Sequence, residues 1–92
     1  MTTSVIRQHE ILNVKGLHAR ASAKLSAVVE QFDANATVRK DGMDASGDSI
    51  MGLLMLAASI GTTIEVETTG PQSEALSDAI EALIADKFDE GI

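Results

Sequence analysis

His18 and Arg20 stand close together in the segment GLHARASAKL, residues 16–25. Histidine carries a ring nitrogen that is nucleophilic near neutral pH, and arginine presents a planar fork of donors that fits phosphate oxygens. The pair can bind a phosphoryl group, or hold one covalently on the ring with the guanidinium over its oxygens. The surrounding charge favours an anion: no acid occurs between Glu10 and Glu30, and that window also holds Lys15 and Lys24. Other chemistries lack their residues. His9 is the only other histidine and there is no cysteine, so neither a metal-ligand set nor a thiolate nucleophile is on offer. Without a Walker-type glycine loop, the phosphate should not come from ATP directly. No second base or positioned carboxylate lies in the window, which argues against an independent hydrolase, and no cofactor is called for. A helix that merely displays its bases to solvent is the plain alternative.

The elements that position the pair decide between these. Leu17, Ala21, Leu25, Val28, Val29 and Phe32 recur at spacings of three and four, which predicts one buried helical stripe on a helix starting near His18. The first N–H groups of a helix have no intrahelical acceptor and lie at the positive end of its dipole, so an anion on His18 would be stabilised there. Residues 4–12 are rich in strand formers. Residues 37–40 and 43–46 flank Asp41-Gly42, a strong hairpin signal. Ser49 is a favoured cap for a second helix through Ile50, Met51, Leu53, Leu54, Met55 and Leu56, with Gly61 as its terminator. Residues 62–68 alternate, Ile64 and Val66 inward, Glu65 and Glu67 outward, and close at Gly70-Pro71. A last helix begins near Ser73 and is lined by Leu76, Ala79, Ile80, Leu83 and the stem of Lys87. The acidic tail beyond reads as a solvated helix end, and His9 as a partly exposed sheet residue. The order βαββαβα predicts an α+β fold: an open-faced two-layer sandwich, with a mostly antiparallel four-stranded sheet and three helices on one face.

A single domain over residues 1–92 accommodates this arrangement. Hydrophobic residues make up 45% of the chain but aromatics only 2%, Phe32 and Phe88, so the core must pack aliphatically and offers no platform for stacked bases. Fourteen acids against seven bases give a net charge of −7, which opposes the counterion release that drives nucleic-acid binding. The longest apolar run, residues 50–58, is too short to span a bilayer, and MTTSVIRQHE has no apolar run of signal-peptide length. A soluble, cytoplasmic domain without nucleic-acid or membrane partners is expected, and the lack of cysteine is compatible with a reducing compartment.

Asn13, Gly16-Leu17-His18-Ala19-Arg20 and, downstream, Asp48-Ser49-Ile50-Met51-Gly52-Leu53 resemble the two signatures of HPr, the histidine-containing phosphocarrier family of the bacterial phosphotransferase system. The likeness covers nearly the whole chain, since the inferred element order is also the family's. The run from Leu53 to Leu56, Ile64-Glu65-Val66-Glu67, Gly70-Pro71-Gln72 and Phe88-Asp89-Glu90 are similar to the nitrogen-related branch, NPr. The resemblance implies that His18 accepts a phosphoryl group from enzyme I, charged by phosphoenolpyruvate, and passes it to an enzyme IIA, in sugar uptake or nitrogen-related regulation. It makes the chain a covalent carrier rather than a stand-alone catalyst; a docking carrier needs its site free, so a monomer is expected. Arg20 would neutralise the phosphoryl oxygens, with the backbone N–H groups of Ala19 and Arg20 assisting. Leu17, Ile50, Met51 and Leu54 would form the exposed patch that docks both partners. Ser49, besides capping its helix, would be the regulatory site modified in some bacteria by an HPr kinase/phosphorylase. Two positions depart from the family pattern: Ala21 where proline is usual, and Asp48 where relatives often carry lysine or asparagine. Two other readings stand beside it: an interaction module of the same fold controlled through Ser49, and a small-molecule-binding regulatory domain with a related arrangement of strands and helices, which gives no reason for the pairing of His18 with Arg20.

Overall fold

The elements, in chain order, are β1 (Ser4–Glu10), α1 (Ala19–Val29), β2 (Asn35–Lys40), β3 (Met43–Ser46), α2 (Ile50–Met55), β4 (Thr63–Thr69), α3 (Ser73–Ala85) and a short 3-10 turn, Lys87–Asp89. The computed structural model describes residues 4–92; Met1, Thr2 and Thr3 of the expected domain lie outside the described residues. The sheet runs in the order β1-β4-β2-β3, and every neighbouring pair is antiparallel. Strand β4 is therefore central, with Val66 opposite Arg7 on one side and Val38 on the other. The hairpin joining β2 to β3 turns at Asp41 and Gly42, whose φ values of 51° and 81° are the positive pair that a two-residue turn between twisted strands requires.

Alternation decides which face is covered. Along β4, Ile64, Val66 and Thr68 are buried beneath the helices. Glu65 and Glu67 point to the open face, where Arg39 donates to both at 3.2 and 2.8 Å. The helices contribute Ala21, Leu25 and Val29 from α1, Leu53 from α2, and Leu76, Ile80 and Ile84 from α3. The result is the expected open-faced α+β sandwich, with the sheet wholly antiparallel.

Strands β1, β2 and β4 shift by one or two residues at their ends, and the helices depart further from the sequence-based expectation. Helix α2 ends at Met55, well before Gly61, because Leu56 and Ala58 turn into the core. Its last turn tightens as the Leu56 and Ala57 N–H groups donate to Leu53 and Leu54, and Ala57 takes the left-handed conformation at φ 51°. On α3 the buried seam is Leu76, Ile80 and Ile84, with Ala79 and Leu83 only half-buried, because the i, i+4 row faces the sheet. Lys87 lies beyond the helix at φ 55° and is not part of that seam.

His9 faces the α3 side of β1, where a shallow hollow is lined by His9, Leu12, Glu81 and Ile84. Its ring is half-buried, and among the described residues its Nε2 atom has no hydrogen-bond partner. Burial lowers its pKa, with Glu81 acting in the opposite sense. The folded state therefore binds fewer protons than the unfolded chain, so the His9 contribution to stability is lost as pH falls through the ordinary histidine range. The urea midpoint should fall more between pH 7.5 and 5.5 in the wild type than in His9→Gln; equal slopes would assign the acid sensitivity to other groups.

Candidate functional site

The site is built on the connection from β1 to α1. Asn13 is fully buried, and its side-chain amide donates to the Gly16 carbonyl at 2.8 Å, which closes a tight turn. Gly16 has φ 64°, and a Cβ there would lie 2.4 Å from the Ala58 carbonyl oxygen, so only glycine fits between the turn and the segment leaving α2. That same carbonyl accepts from the Leu17 N–H at 2.8 Å. The chain is pinned at 17 and enters α1 with His18 as the N-cap, in extended backbone conformation at φ −78°, ψ −175°.

His18 makes no side-chain cap bond, which leaves its ring free to face outward; the ring is 27% exposed. The Ala19, Arg20 and Ala21 N–H groups open the helix beside it, before the first helical bond from Ser22 N–H to the His18 carbonyl at 2.8 Å. Arg20 is exposed, and among the described residues its guanidinium makes no ion pair. Lys15, His18 and Arg20 line a hollow of about 180 Å³ together with Asp89, Glu90 and Ile92. On its other side the ring borders a broader hollow lined by Lys15, Leu17, Leu54, Ala57, Ala58 and Ser59. The structure thus brings the sequence-predicted His18, Arg20, Ala19 and Lys15 to one helix start. No group of acids and histidines among the described residues is arranged to hold a metal ion.

The tail is the part that sequence reasoning missed. Instead of trailing into solvent, residues 87–92 fold back over the site. Phe88 is fully buried. Lys24 Nζ donates to the Phe88 carbonyl at 2.7 Å, and the Val14 N–H donates to the Ile92 carbonyl at 3.2 Å. These anchors bring the Glu90 carboxylate to His18: one oxygen accepts from Asn13 Nδ2 at 2.9 Å, and the other is hydrogen-bonded to His18 Nε2. That bond to the imidazole is the main reason the Glu90 carboxyl lies below its ordinary pKa, so it is ionised and acts only as an acceptor. The signal in the sequence was Phe88, an aromatic with no role in a solvated tail.

The expected docking residues divide. Ile50 and Met51 are 41% and 72% exposed on α2, and Leu54 is half-buried. Leu17 is corrected: it is 4% exposed, because the bond to the Ala58 carbonyl turns its side chain into the core, where it floors the hollow beside His18. Met55, 74% exposed, extends the apolar surface that Ile50 and Met51 begin. Ser49 is half-buried, and its hydroxyl accepts from the Gly52 N–H at 3.0 Å as the cap of α2. Asp48, exposed just before it, accepts from the Ser46 hydroxyl at 2.5 Å.

Comparison with known proteins follows this geometry. The family model described as "PTS HPr component phosphorylation site" matches residues 5–86. The phosphocarrier protein HPr of Cupriavidus necator is 46% identical, across 92% of this chain and 96% of the relative. The phosphocarrier protein NPr of Shewanella violacea is 44% identical, across 96% and 97%. Among solved structures, the crystal structure of HPr-C-His from Thermoanaerobacter tengcongensis superposes with a TM-score of 0.91 at 32% identity, covering 96% of this chain and 99% of that one. Both branch names occur among these relatives at nearly equal identity, and both denote phosphocarriers rather than stand-alone catalysts. The chain belongs to the HPr family of phosphocarrier proteins of the phosphotransferase system.

Proposed function

We propose that this protein accepts a phosphoryl group on His18 from phosphorylated enzyme I and passes it to an enzyme IIA, working as a cytoplasmic monomer. The observation that supports this most is the placement of the ring: at the N-cap of α1, outward-facing, beside helix-start N–H groups and flanked by Lys15 and Arg20. Glu90 holds Nε2, so Nδ1 is the nitrogen with a lone pair to offer. In the accepting step Nδ1 attacks the phosphorus in line, the donor's P–N bond breaks, and its electron pair returns to the donor ring; delivery reverses these roles. Arg20 and the first-turn N–H groups of Ala19 and Arg20 receive the phosphoryl oxygens.

Docking of a partner over α2 excludes water from this exchange. Ile50, Met51 and Leu54 form the proposed contact surface, extended by Met55. Met51→Asp should leave folding unchanged, since the side chain is 72% exposed, and should weaken transfer from enzyme I about tenfold through KM. An unchanged KM would remove Met51 from the interface. Phosphorylation of Ser49 belongs to the same proposal as regulation, because it would place a dianion at the edge of that apolar surface.

Ala21 is fully buried at the third position of α1, before the N–H groups that make helical bonds. Ala21→Pro therefore removes no hydrogen bond, and it presets the first turn while disfavouring helical backbone at Arg20, so the backbone that carries the guanidinium shifts. Acceptance should become severalfold faster without changing in kind, as read by rapid-quench transfer; identical kinetics would show that position 21 does not tune the site.

The reading as a whole is tested by intact-mass spectrometry after incubation with phosphoenolpyruvate and either a sugar-type or a nitrogen-type enzyme I. One added phosphoryl mass, removed by acid, is expected, and the faster enzyme identifies the branch. No added mass with either enzyme would overturn the carrier function.

A further inference from the structure

Glu90 is held more firmly than orienting a surface histidine would need. Its side chain is only 9% exposed. Asn13, which fixes one carboxylate oxygen, is itself fully buried and tied to the Gly16 carbonyl. The backbone that delivers Glu90 passes through three consecutive left-handed residues, Lys87, Phe88 and Asp89, at φ 55°, 54° and 63°. Non-glycine residues adopt that conformation against a steric penalty, so the burial of Phe88 and the bond from Lys24 must offset it. All of this places one ionised, acceptor-only group on Nε2, the nitrogen of His18 that the proposed transfer does not use.

A proton on that nitrogen decides what kind of leaving group the ring is. When the P–Nδ1 bond breaks with Nε2 protonated, the electron pair returns to Nδ1 and the ring departs as neutral imidazole. With Nε2 bare, the same step must expel an imidazolate, a far poorer leaving group. We propose that Glu90 is a positioning residue that keeps the proton on His18 Nε2 throughout the phosphoryl cycle and so sets how readily the phosphoryl group leaves. In hydrolysis the water oxygen attacks phosphorus, its two protons end on the released dihydrogen phosphate, and Nε2 keeps its own. The same balance holds for transfer, with the acceptor's ring nitrogen in place of water. This inference rests on the carrier function proposed above.

The test is the lifetime of the isolated phosphoprotein. Wild type, Glu90→Gln and Glu90→Ala are loaded with phosphoenolpyruvate and enzyme I, freed of enzyme I, and followed at pH 7.5 by loss of the phosphoryl mass. Without an ionised acceptor on Nε2 the ring leaves less readily as neutral imidazole, so both variants should keep the group roughly ten times longer. A purely structural contact would be restored by glutamine, so a wild-type lifetime in Glu90→Gln overturns the proposal. Long-range 1H–15N NMR of the unphosphorylated wild type should show the neutral ring with its hydrogen on Nε2, and finding it on Nδ1 overturns the proposal as well. Amide spectra of Phe88 report whether the tail stays docked in each variant. Failure of the wild type to take up any phosphoryl mass would instead defeat the carrier function, which separates the two outcomes.

Discussion

Replacing His18 by alanine should abolish phosphoryl acceptance completely while leaving the fold intact. No other group at the helix start can substitute as nucleophile. Ser22 is buried with its hydroxyl donated to the Leu17 carbonyl at 3.2 Å, and Lys15 and Arg20 are protonated cations. Stability should change by no more than about 1 kcal/mol, because the histidine contributes no cap bond and its ring is 27% exposed. Alanine loses one contact with Glu90, whose other oxygen keeps Asn13. Intact mass after incubation with enzyme I and phosphoenolpyruvate reads the first effect, and a urea melt followed by far-ultraviolet circular dichroism reads the second. An added phosphoryl mass on the variant would move the acceptor to another residue and refute the assignment.

Phe88→Ala should lower stability by about 3 kcal/mol, near the bottom of the range for deleting a buried phenyl ring. The low end is expected because the loss has a partial return. Phe88 holds a segment in which three successive residues are left-handed, and once the ring no longer anchors it, that segment can relax. The tail should then detach from residue 87 onward, carrying Glu90 away from His18 and exposing the apolar seat the ring had filled. Domains of this size are stable by only about 5–15 kcal/mol, so the change should be plain in the urea midpoint. Amide hydrogen exchange should show protection lost at residues 88–92 first. A tail that remains docked in the variant would show that the hydrogen bonds from Lys24 and Asn13 suffice.

How much of this was legible in the sequence follows from how local each feature is. The β2–β3 hairpin was readable because Asp41-Gly42 carries its own turn geometry, and α1 because Ala21, Leu25 and Val29 repeat on one stripe. Asn13 through Arg20 form one contiguous stretch, so the proposed acceptor and the cations beside it could be gathered by eye. Leu17 had two readings: the stripe it begins marks it as buried, as it is, whereas the resemblance set it in an exposed docking patch, and the Ala58 carbonyl that captures its N–H turns the side chain inward. The end of α2 was missed for a related reason: Leu56 and Ala58 leave the helix to meet the core, and a nearby glycine said nothing of that. Glu90 lies 72 residues from His18, and the contact depends on long-range anchors, above all the burial of Phe88 in the core. A tail rich in charge reads as solvated until its single aromatic is asked where it goes.

The sheet order β1-β4-β2-β3 has a bearing on synthesis at the ribosome. Among the described residues β1 pairs with β4 alone, so Ser4 must wait for Thr69, and the Asn13–His18 turn then waits for Glu90. Local pieces such as the β2–β3 hairpin and α1 can form early, whereas the pairings that finish the molecule span most of its length. At about 5–20 residues per second, several seconds separate the emergence of His18 from that of Glu90. During that interval the histidine is on the outside of the ribosome without its carboxylate, so the proposed site is among the last features of the nascent chain to be completed.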